Sequence, residues 1–70
     1  MEYVIRFQWD SESNVWIASN DDIPITLEDE SLDALMARVR VAVPELLEMN
    51  NMPMPKYLFF LAQNREEVTA

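Results

Sequence analysis

The chain opens on an alternation. In residues 3–9, YVIRFQW, the side chains of Tyr3, Ile5, Phe7 and Trp9 fall on one side and those of Val4, Arg6 and Gln8 on the other. A period of two among aromatic and β-branched residues predicts a strand. The polar run DSESN, residues 10–14, predicts a turn, because Asp and Asn bond nearby backbone and tolerate left-handed geometry. VWIAS, residues 15–19, predicts the return strand of an antiparallel hairpin. NDDIP, residues 20–24, interrupts the pattern, and Pro24, lacking an N–H, suits a sheet edge, a bulge or a turn. ITL, residues 25–27, predicts a short third strand beside the second.

The period then changes. At 100° per residue, Leu32, Leu35, Met36, Val39, Val43, Leu46 and Leu47 project into one arc of about 120°, while Asp33, Arg38, Arg40, Glu45 and Glu48 lie outside it. The arc keeps its phase across Pro44, which projects to the polar side. One helix over residues 31–49, capped at Ser31 and bent at Pro44, is therefore predicted rather than two shorter ones. Asn50 and Asn51 suit a left-handed cap, and Pro53 forbids continuation. MPMP, residues 52–55, reads as a stiff link. KYLFFLAQ, residues 56–63, predicts a last strand with two apolar rows, Tyr57/Phe59/Leu61 and Leu58/Phe60/Ala62. Such a strand is buried on both faces, or on one face with a partner on the other. Residues 64–70 read as a frayed tail.

The order β-β-β-α-β describes one α+β domain over residues 1–70. A strand–helix–strand crossover is right-handed and usually joins parallel strands, so the last strand should pair with the first, giving sheet order 3-2-1-4 with one helix on one face. That helix leaves the other face uncovered. Exposed apolar patches on small proteins mark interfaces, so Trp9, Trp16, Tyr57 and Phe59 are the expected apolar contacts with a partner or with a second copy. The plainer account of both tryptophans is core packing.

Composition sharpens this expectation. A chain of 70 residues buries only about 60% of its unfolded surface, and chains so small commonly need a disulfide, a metal or another chain for support. With no Cys and no His, disulfides and most transition-metal ligands are absent. The net charge of −8, from 13 acids against 5 bases, opposes direct nucleic-acid binding and anionic membranes and suits a basic protein partner. No run approaches the roughly 20 apolar residues of a membrane span, and MEYVIRF has no signal-peptide character. A cytoplasmic bacterial protein is the expectation.

The segment DDIPITLEDESLDAL, residues 21–35, holds six acids and no base. Near a helix N-terminus each carboxylate is favoured by about 0.3–1 kcal/mol, which accounts for Glu30 and Asp33. No acid on the predicted helix has an Arg or Lys three or four positions away, so local pairing does not offset the rest. Asp21, Asp22, Glu28, Asp29 and Glu30 are the expected acidic surface for a partner. An acid-only metal site is the weaker alternative. The spacing fits no calcium loop, and with no Gly neither its sharp turn nor a phosphate-cradling loop can form. No catalytic residue, cofactor or metal ligand is expected.

A hairpin with aromatic residues, then Asp22-Ile23-Pro24, an acidic stretch from Glu28 to Ser31, and Leu32-Asp33-Ala34-Leu35 opening a long helix resembles the HicB-like antitoxin domains. The PELLE segment, residues 44–48, resembles a short branch of relatives known only as a domain of unknown function. The likeness covers about residues 2–49. It implies a partial ribonuclease H-like fold and the binding and neutralisation of a small basic HicA-type toxin that cleaves messenger RNA. The alternative is a stand-alone homo-oligomer of structural or regulatory role with no toxin. Ile25 stands where the family usually has Gly after the proline. Many members carry a DNA-binding domain after the sheet; this chain ends at Ala70, and no DNA binding is expected of it.

Overall fold

The computed structural model describes residues 2–64 and Val68. Most of the expected tail, residues 65–67 and 69–70, lies outside the described residues. Four strands and one helix follow in the order β1 (Glu2–Asp10), β2 (Val15–Ser19), β3 (Thr26–Asp29), α1 (Leu32–Met49) and β4 (Tyr57–Gln63). They form a sheet ordered β3-β2-β1-β4, the order expected from the crossover rule. β1 and β2 are antiparallel with Phe7 opposite Ala18 and Trp9 opposite Trp16, and Asn14 takes a left-handed φ of 56° in their turn. β4 runs parallel to β1, with Ile5 beside Phe60 and Arg6 beside Leu61.

The helix begins where its chemistry requires. Ser31 is extended and its hydroxyl accepts from the Ala34 N–H at 3.2 Å, satisfying one of the orphan donors of the first turn. Ser31→Ala is expected to cost about 1 kcal/mol, read as a lower urea midpoint at unchanged slope. The helix ends as a Schellman motif. Asn51 is left-handed, with φ 52°, its N–H donates to the Glu48 carbonyl, and the Met52 N–H donates to Leu47 at 2.9 Å. Between these ends the helix continues through Pro44.

Leu35, Val39, Val43 and Leu47 are fully buried and meet Tyr3, Ile5, Phe7 and Ala18 from the sheet. These are the centre of the helical arc, three residues of the first row of β1, and Ala18 of β2, which lies opposite Phe7. The predicted third strand is displaced. It is Thr26–Asp29, not residues 25–27, so Glu28 and Asp29 are strand residues opposite Ile17 and Trp16. Ile23 and Ile25 instead leave the sheet and sink into the core on either side of Pro24. The burial of two isoleucines outweighs the preference of Ile25 for a strand, and a short edge strand tolerates charge.

Candidate functional site

The two edges of this sheet are chemically opposite. The β3 edge has four residues and is acidic. The helix partly closes it. Arg38 donates to the Glu28 backbone carbonyl at 2.9 Å and lies 3.5 Å from the Asp29 carboxylate. A short, charged edge capped by an arginine is poorly suited to pairing with another strand. Glu28 and Glu30 remain exposed and make no ion pair among the described residues.

The five expected acids do not form one surface. Asp21 and Asp22 precede β3, while Glu28, Asp29 and Glu30 occupy and follow its far half, with Thr26 to Asp29 spanning about 10 Å at about 3.3 Å per strand residue. Asp21 turns to the sheet face that the helix leaves open, where Arg6 holds it through two bonds of 2.6 and 3.1 Å. That hydrogen bonding, and next the guanidinium charge, keep the Asp21 carboxyl below its ordinary pKa. Asp22 borders Glu2, Tyr3 and Pro53 near the start of β1. Part of the positive charge that the acidic run calls for thus comes from this chain, through Arg6 and Arg38. Neither pairing could be read from local spacing, since Arg6 and Asp21 are 15 residues apart and meet only across the hairpin.

The β4 edge is the reverse. Tyr57–Gln63 carries no charge and runs seven residues, yet not one of its side chains is buried. Tyr57, Phe59 and Leu61 share the open face with Val4 and are 57%, 47%, 45% and 45% exposed. On the other face Leu58 and Phe60 are half-covered. Phe60 touches the Phe7 ring edge-on at 5.2 Å, and the Arg40 guanidinium sits 5.5 Å from its centroid. A groove of about 410 Å³ separates β4 from Val43, Pro44 and Leu47 of the helix. The helix backbone comes nearest to β3 and β2, so β4 is thinly covered on one face and bare on the other.

Of the expected apolar contacts, Tyr57 and Phe59 stand on the open face. Trp9 and Trp16 do not join them. The pairing of Trp9 with Trp16 puts both on the helix side of the sheet, with ring centroids 5.7 Å apart, edge to face, and Trp16 packs on the core. The two sets face opposite ways and cannot share one flat interface. The parity that separates them is visible in the sequence, but which parity faces the helix depends on the tertiary packing. Leu61, of the same predicted row as Tyr57 and Phe59, and Val4, which was not among the expected contacts, complete the patch. Among the described residues no three His, Cys, Asp or Glu side chains gather as a metal site requires. No helix there is long and apolar enough to cross a membrane.

A family profile described as a domain of unknown function (DUF1902) matches residues 2–69. The chain is also similar to a solved structure, the hypothetical protein TTHA1013 from the extremely thermophilic bacterium Thermus thermophilus. The two are 30% identical, the likeness covers 100% of each chain, and the TM-score is 0.77. No curated protein matches.

Proposed function

Because the chain belongs to the family described as a domain of unknown function (DUF1902), its role has to be argued from its surfaces, and we propose that it is a protein-binding module of the HicB-like antitoxin kind. It neutralises a small basic, messenger-RNA-cleaving protein of the HicA type. The partial ribonuclease H-like relationship belongs to the same proposal, as does a bacterial cytoplasmic setting. The chain itself performs no catalysis on this reading.

The observation that carries the reading is the exposure of Glu28 and Glu30 beside the helix N-terminus, with no cation paired to them among the described residues. A basic partner supplies the missing charge, and the net charge of −8 steers it. Asp21 and Asp29 already hold arginines of this chain and contribute less. Asp22, at the far end of β3, is a separate contact.

The reading expects a small basic reading frame beside this chain's gene, and that neighbour is the test. Expressed alone, it should arrest growth; co-expressed with this chain, it should not. Glu28→Lys with Glu30→Lys should slow association by about tenfold at low salt, with the difference shrinking as salt screens it. Absence of such a neighbour, or failure of the co-expressed pair to associate, ends the reading. The second reading, a stand-alone homo-oligomer without a toxin, is favoured by one observation of its own: the unburied β4.

A further inference from the structure

We propose that β4 is a self-association edge, on which two copies of this chain pair antiparallel about a two-fold axis normal to the sheet. The product is a continuous eight-stranded sheet ordered 3-2-1-4-4-1-2-3, with both helices on one face. This does not depend on whether the acidic edge meets a toxin.

Three observations converge on a second copy as the occupant. The first is the contrast between edges. Natural sheets protect a free edge with charge, proline, shortness or a covering side chain. β3 has charge, brevity and Arg38; β4 has none of these across Tyr57–Gln63. In a strand paired in parallel on one side, alternate residues, about three of these seven, turn both N–H and C=O toward the free side. Among the described residues no strand meets them.

The second is self-complementarity. An isologous antiparallel pair sets each residue opposite its symmetry mate, so any charge near the axis would oppose itself. Centred on Phe60, the pairing sets Phe60 against Phe60, Phe59 against Leu61 and Leu58 against Ala62, all apolar. Parity is kept, so Tyr57, Phe59 and Leu61 of both copies merge into one stripe on the open face, and Leu58 and Phe60 gain cover on the other.

The third is where the charge sits. Two copies at −8 each repel, which forbids contact through the acidic edge. β3 lies three strands from β4, about 14 Å at 4.8 Å per strand, which exceeds the screening length of about 8–10 Å at physiological salt. The described charges beside β4 are mixed. Glu2 neighbours Tyr57 at the start of the strand, three residues from Phe60; Arg6 neighbours Leu61 and is neutralised by Asp21; Arg40 and Lys56 lie over Phe60 and Tyr57. Among the described residues no unpaired acid sits beside the central residues, so the acids stay apart when the β4 edges meet.

The purified chain, without any partner, should sediment as a reversible monomer–dimer equilibrium. Leu61→Lys, on the open face and outside the core, should weaken the dimer at least tenfold while leaving the circular dichroism spectrum unchanged. Glu28→Lys with Glu30→Lys should leave the dimer intact, which separates this inference from the toxin reading. The chain has no Cys, so single cysteines at each position from 57 to 63 can map the pairing. Disulfide dimers should peak at one central residue, 59, 60 or 61, and fall away on both sides. A monomer at every concentration, an open-ended polymer, or cross-linking that shows no centre would overturn the proposal.

Discussion

Phe7→Ala should remove a third or more of the folding stability. Phe7 is fully buried, lies in the centre of the sheet, and carries Phe60 on its ring edge. Truncating a buried Phe costs about 3–5 kcal/mol through lost transfer energy and the cavity left behind. A 70-residue domain has about 4–10 kcal/mol in total, at 0.05–0.15 kcal/mol per residue. The loss therefore consumes between a third and all of the stability. It also loosens β4, which touches the core chiefly through Phe60 and Leu58. Urea unfolding followed by tryptophan fluorescence reads this directly, because Trp9 and Trp16 stack on the same face. Protein concentration must be held fixed, since self-association would add its own stabilisation. A loss below about 1 kcal/mol would mean that the core closes over the gap and does not centre on Phe7.

Pro44→Ala should act in the opposite sense. The helix runs through Pro44, which is exposed, and the ring removes one N–H and crowds the carbonyl of Arg40. Proline in a helix interior is about 3 kcal/mol worse than alanine. On that exposed side solvent can bond the freed carbonyl, so a gain of about 1–3 kcal/mol is expected. For a domain of this size each kcal/mol raises Tm by about 4–8 °C. Thermal unfolding by circular dichroism measures it. A fall in Tm would instead show that the ring sets a curvature needed to bring Val43 and Leu47 onto the sheet.

How much of this was legible depended on how local the signal was. The helical arc announced its buried centre, since Leu35, Val39, Val43 and Leu47 recur at helical spacing and Pro44 does not break the phase. Ser31 and Asn51 declared both helix ends through capping chemistry that needs only neighbouring residues. β3 was misplaced by one or two residues because Ile25 looks like a strand residue; only the tertiary packing takes it, with Ile23, into the core. The acidic run looked like a single surface because the residues are close in sequence. An extended strand then carried its two ends apart, and Arg6 and Arg38 neutralised one acid in each half.

The sequence by itself determined the elements, their order and the crossover topology, because periodicity, capping and the handedness of a strand–helix–strand connection act within a few residues or through chain sterics. It also determined that more apolar surface exists than one helix can hide. The tertiary structure alone decided which row of each strand faces that helix, and that the helix settles toward β3 and leaves β4 bare. Those outcomes follow from competition among side chains for one limited contact area, and no single segment carries that information.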